Sequence, residues 1–162
     1  MNKFDYIKFQ NDLLSILNDV ISNLEQKDIC GFSLSSDEDA RSVNASFNTK
    51  KHLLKCWEED QDEDKQYYKW YPAEWKEEGI NNDNLNQLSL ELFNLKHSEE
   101  DAELTKKAIF ELLVDTLKKL KETGTFNSFG NEFVLVFNVT DSDNLEDDLR
   151  WIKELNSENL FL

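Results

Sequence analysis

Asp60, Asp62 and Asp64 alternate as the first three ligands of a calcium loop do, and Asp141-x-Asp143 offers a second pair of carboxylates to a divalent cation. The calcium pattern then breaks. Lys65 stands where the loop requires glycine, and Tyr71 where it requires a bidentate glutamate. Asp141 and Asp143 follow an apolar run, a place where α/β enzymes hold a metal or a nucleotide. Acids at that point also cap a following helix, and Asp143 before Asn144-Leu145 suits that role. His52 and His97 are far apart and neither stands in a triad pattern. Cys30 and Cys56 lie outside any CxxC or metal-ligand spacing, and a thiol nucleophile needs a paired base that the sequence does not supply. No G-x-S-x-G, P-loop, G-x-G-x-x-G or H-E-x-x-H occurs, and the four glycines, Gly31, Gly79, Gly124 and Gly130, are too scattered for a phosphate-cradling loop. No catalytic residue and no cofactor is implied.

Recognition chemistry is better represented than catalysis. Tyr67-Tyr68-Lys69-Trp70-Tyr71-Pro72-Ala73-Glu74-Trp75 gathers five aromatic rings and the only proline. Directly before it, Glu58 to Asp64 holds six acids in seven positions. Such a segment is either a local core nucleus or a binding surface. As a surface, Trp70 and Trp75 would anchor a partner while Glu58, Asp60, Asp62, Asp64 and Glu74 supplied a charged rim, an arrangement suited to a basic protein.

The whole chain repeats that bias. It carries 34 acids against 18 bases in 162 residues, a net charge of −16, so its field repels nucleic acid and anionic membranes and attracts cations. Hydrophobic residues at 39%, with eleven Phe and four Trp, are enough for a packed core rather than disorder. No linker composition interrupts the chain, so one domain over residues 1–162 is expected. Two cysteines make no disulfide framework, and no signal peptide or membrane span is legible, which points to the cytoplasm.

The elements that must position these residues are readable from periodicity. Leu13, Leu17, Val20 and Leu24 mark an amphipathic helix over about Phe9 to Leu24. Ile29 to Ser35 alternates, as does Val43 to Phe47, and the two read as a β-hairpin around an acidic turn. Asn48-Thr49 caps a short helix carrying Leu53, Leu54 and Trp57. Tyr67 to Tyr71 is aromatic enough for a third strand. Pro72 opens a brief helix that Gly79 ends, and Asp83 caps a helix with Leu85, Leu88, Leu92 and Leu95 on one stripe. Ser98 and Asp101 resemble a capping box at the head of a long helix ending at Gly124. Phe133 to Phe137, apolar on both faces, reads as a central covered strand, followed by a helix with Leu145, Leu149 and Ile152. The class is α+β: a small, mostly antiparallel sheet of three to five strands with helices packed around it.

With these segments in place, the chain resembles the bacterial family known as domain of unknown function 4303. The hairpin Ile29 to Phe47 with Asn48-Thr49, the Trp70-Tyr71-Pro72-Ala73-Glu74-Trp75 element, Gly124-Thr125-Phe126 and Val139-Thr140-Asp141-Ser142-Asp143 carry the resemblance in order. The tryptophan–proline–glutamate–tryptophan element is similar to a family signature W-x-P-x-E-W. The resemblance implies toxin–immunity loci as a context, in which the small acidic member neutralises a toxin. The expected function is therefore a non-enzymatic acidic binding module, an immunity-type inhibitor of a basic toxin. The alternatives are a metal-dependent enzyme at Asp141 and Asp143, or a structural protein.

Overall fold

The computed structural model describes residues 3–25, 27–60, 65–95 and 99–161. Asp5 accepts a hydrogen bond from the Lys8 amide and starts helix α1 (Tyr6–Ser22), which buries Phe9, Leu13, Leu17, Val20 and Ile21. Strands β1 (Ile29–Asp37) and β2 (Asn44–Thr49) form the expected antiparallel hairpin, with a register irregularity between Ile29 and Gly31. Thr49 caps α2 (Lys50–Glu59) by accepting from the His52 amide. Then come α3 (Lys65–Trp70), a 3-10 turn (Pro72–Glu74), α4 (Asp83–Phe93), the long α5 (Glu99–Glu122), β3 (Val134–Thr140) and α6 (Leu145–Leu155). Gly124 leaves α5 at φ 83, a left-handed exit that glycine makes without steric cost.

The α+β class is as expected, but the sheet is mixed. Its order is β2-β1-β3, with β1 antiparallel to β2 and parallel to β3. Tyr67 to Tyr71 is not a strand. Its aromatics recur at helical spacing: Tyr67 stacks on Tyr71 and Trp70 donates to Gln66, both pairs four residues apart, and this local pairing overrides β propensity. The caps expected at Asp83 and Asp143 belong to the residue on one side of each: Asn82 accepts from the Leu85 amide, and Asn144 from the Asp147 amide. Gly79 does not end a helix, because the 3-10 turn closes at Glu74. The capping box at Ser98 involves a residue outside those described.

Phe32, Leu34, Phe47, Leu135 and Phe137 point from one sheet face into the main core against α1, α4 and α5. The opposite face carries the other half of the alternation: Gly31, Ser33 and Ser35 of β1, beside Asn48 and Ser46 of β2 and Val134, Val136 and Asn138 of β3. This second face is covered as well. Trp75, Val134, Val136 and Leu160 form a separate apolar cluster there, with Trp70 and Ile152 against it.

β3 is an edge strand, not the central one, and it is hidden because both its faces and its free edge are occupied. Asn156 accepts from the Leu135 amide at 2.9 Å and donates to the Leu135 carbonyl at 2.7 Å. The Val139 amide faces the Asp148 carboxyl and lowers its pKa against the effect of burial. Residues 148 and 156 lie about 12 Å apart along a helix, and residues 135 and 139 about 13 Å apart along a strand. α6 therefore runs antiparallel to β3 and matches its outward backbone groups two turns apart. The far edge is closed differently. Glu77 exchanges two backbone hydrogen bonds with Phe47, and the Ile80 amide donates to the Ala45 carbonyl.

Truncating Asn156 leaves two buried backbone groups of β3 without partners. Asn156→Ala should cost about 2–4 kcal/mol, read as a lowered urea midpoint with an unchanged slope. A loss below about 0.5 kcal/mol, the scale of an ordinary surface substitution, would contradict this role.

Candidate functional site

The Trp70–Trp75 element is first a structural pier. Trp75 is only 4% exposed and lies over Gly31, where an added Cβ would stand 3.0 Å from the indole Cη2. No larger residue at 31 lets the indole approach the sheet so closely. Pro72 is buried at the head of the 3-10 turn. Trp70 is half-buried and stacks on Phe161 at 5.2 Å. Glu74 is exposed. Its carboxylate accepts from Tyr67, and its carbonyl oxygen lies 2.9 Å from His52 Nε2.

Of the acidic run, Glu58 is exposed at the end of α2, and Asp60 accepts a hydrogen bond from the Tyr68 hydroxyl. Asp62 and Asp64 lie outside the described residues, as does His97. The run and the aromatic segment thus meet at Asp60–Tyr68, and Trp75 is not on the surface.

His52 and Cys56, one turn apart on α2, bring an imidazole within 3.5 Å of a thiol. The same Nε2 faces the Glu74 carbonyl, which only accepts, so that nitrogen carries a proton and cannot take one from sulfur. Burial also pushes the Cys56 thiol up and raises Cys30 to about 11, the opposite of what a nucleophilic cysteine requires.

A cleft of about 870 Å³ opens where the pier, the C-terminal end of β3 and α6 meet. Trp70, Tyr71, Pro72 and Ala73 form one wall, and Leu145, Leu149 and Ile152 the other. Ser35, Ser46, Val136 and Asn138 make the floor, and Asp141, Asp143, Asp148 and Glu78 supply charge. The structure thus brings the aromatic segment and the Asp141–Asp143 pair to one place, although some 70 residues separate them in the chain. Asp141 and Asp143 are exposed, and Asp141 turns the chain at φ 60. Among the described residues no three His, Cys, Asp or Glu side chains are grouped to hold a metal ion.

Sequence reasoning missed Tyr71, Leu145, Leu149 and Asp148 as site residues. Leu145 and Leu149, which mark this helix in the sequence, are 71% and 55% exposed, because α6 buries Trp151 and Leu155 in the core. The signal was present: α6 carries two apolar stripes, one more than core packing needs. Asp148 is half-buried between the cleft and the β3 edge, and burial, opposed by the Val139 amide and aided by Asp147, raises its carboxyl from 3.8 to about 6. Its Oδ1 is buried without a hydrogen-bond partner.

Residues 11–157 match the model of the family described as "Domain of unknown function (DUF4303)", and the chain belongs to that family. No curated protein and no solved structure matches it.

A carboxyl raised on folding stabilises the fold fully below its unfolded value, near 4, and this contribution is lost as pH rises through about 6. Acidification from neutrality to about pH 4.5 should therefore stabilise the wild type relative to Asp148→Asn, by ~1 kcal/mol once solvent screening of this half-exposed group is allowed for. Thermal melts of both proteins across this range measure it; a difference that stays constant with pH would contradict the assignment.

Proposed function

We propose that this chain is a non-enzymatic, cytoplasmic binding protein that docks a basic protein through the mouth of the cleft, as an immunity-type inhibitor engages a cationic bacterial toxin. The observation that carries the reading is the rim. Tyr71, Leu145 and Leu149 stand exposed beside Glu78, Asp141 and Asp143. Monomeric surfaces seldom present large apolar side chains on both lips of one cleft, and central aromatics ringed by charge are the usual composition of a protein-binding hot spot. The net charge of −16 favours cationic partners and speeds their approach. Glu58, Asp60, Asp62, Asp64 and Glu74 add to the steering field, while Trp70 and Trp75 act by holding the wall that presents Tyr71. Family membership is compatible with this role and does not specify it.

A metal-dependent enzyme is the competing reading, favoured by one feature: burial raises the Asp148 carboxyl to about 6 inside a cleft, in the direction a general acid requires. A thermal shift with magnesium or manganese that disappears in the Asp141→Asn, Asp143→Asn double variant would favour it over docking. A stable homodimer would instead favour an assembly role.

Partners retained from host lysate at about 50 mM salt and released at about 500 mM, where exposed charges are screened within a few ångströms, identify the protein to test. With it purified, Tyr71→Ala and Leu149→Ala should each weaken binding about tenfold or more, mainly through faster dissociation. Reversing Glu78, Asp141 and Asp143 together should slow association severalfold. Unchanged kinetics in all three proteins would remove the cleft mouth from the interface.

A further inference from the structure

We propose that the floor of the cleft is a receptor for a guanidinium group, supplied by an arginine side chain of the docking partner. This rests on the protein-binding reading and names its anchoring chemistry.

The starting point is a set of polar atoms left without partners. Among the described residues four buried side-chain atoms have no hydrogen-bond partner: the Trp75 Nε1 donor, which does not line the cleft, and Ser33 Oγ, Asn138 Oδ1 and Asp148 Oδ1. Native structures leave few such atoms, because each forfeits its hydration without compensation. The last three are not scattered. Asn138 and Asp148 line the cleft, and Ser33 pairs in register with Ser46 and Val136, both of which form its floor. Ser33 is 1% exposed, so its hydroxyl lies directly beneath that floor on the same sheet face.

The chemistry of the set defines what completes it. An amide oxygen and a carboxylate oxygen only accept, and a hydroxyl does either, so the missing group brings several donors and, opposite Asp148, positive charge. Guanidinium offers five N–H donors in a rigid plane and is weakly hydrated, which lowers the cost of burying it. Its methylene stem would run between Tyr71 and Leu149, apolar walls that a strongly hydrated ammonium does not need. A divalent cation fits less well: it demands several oxygens closely arranged, and no three acidic or imidazole ligands are so grouped among the described residues. A cation here would also favour the charged form of Asp148, offsetting the burial that raises it. The cleft volume, about 870 Å³, admits the side chain together with the backbone that carries it.

The test follows backbone amide shifts of the isolated protein at about pH 7.5, above the carboxyl titration range. Ethylguanidinium and butylammonium are added separately to about 50 mM, enough to register dissociation constants in the tens of millimolar. The proposal expects saturable shifts at Asn138, Val139 and Asp148 with ethylguanidinium, about tenfold weaker binding of butylammonium, and about tenfold weaker guanidinium binding in Asp148→Asn. That variant removes the charge while keeping the size and shape of the side chain, and the spread of its amide spectrum reports whether it is folded. Equal responses to the two cations, shifts confined to other surfaces, or no effect of Asp148→Asn would each overturn it. So would saturable magnesium binding at the same amides with no response to guanidinium. Because no partner is needed, the two readings fail separately. Guanidinium binding with a partner indifferent to Tyr71→Ala, Leu149→Ala and the triple charge reversal sinks the docking reading and leaves only the guanidinium receptor, whereas a partner that depends on these residues with no guanidinium response sinks only the present proposal.

Discussion

Two of the three strands in a β2-β1-β3 sheet have a row of backbone groups with no strand beside them, and unpaired edges of this kind either join another chain or must be covered. Closing the β3 edge is the constraint on which the rest of this molecule depends. α6 does it with side chains rather than with a fourth strand: Asn156 pairs with both backbone groups of Leu135, and Asp148, two turns before it, faces the Val139 amide. A helix held in that register cannot rotate. Trp151 and Leu155 are committed to the main core, so Leu145 and Leu149 are left facing outward across the cleft. Arg150 ties the same helix to Glu111 of α5 at 2.8 Å, an exposed pair that fixes orientation more than it adds stability.

The second sheet face follows from the same economy of side chains. Gly31 admits the Trp75 indole against β1, and Ser33, Ser35 and Ser46 are too small to fill the space beyond it. Where the indole stops, the cleft begins. The wall of aromatics and the wall of leucines therefore stand apart over a polar floor. Both the apolar anchors and the unpaired oxygens of the cleft are consequences of a sheet face built from small residues between two larger supports.

How far the sequence made this legible depends on the range of the interactions. Helix periodicity in α1, α4 and α5, the hairpin alternation and the Thr49 cap are local signals, and they appear where expected. The alternation of β1 was legible, but not that its small-residue face is covered, because the Trp75 that buries it lies some 40 residues away. Phe133 to Phe137 looked central because a covered edge strand is as apolar as a central one, and Asn156 gives no sign from sequence that its amide replaces a neighbouring strand. Tyr67–Tyr71 looked like β structure by residue type, although its four-residue pairs were helical. Of the candidate site, Asp141, Asp143 and the Trp70–Trp75 element were identifiable. That they share one cleft was not, since only the α6 register joins them.

Native-state hydrogen exchange at two amides tests this account most directly. If α6 side chains complete the edge of β3, the Leu135 and Val139 amides exchange slowly, within about tenfold of the Phe32 amide in the central strand. Exchange of either at the rate of an exposed loop amide, with Phe32 still protected, would show an open edge and contradict the account.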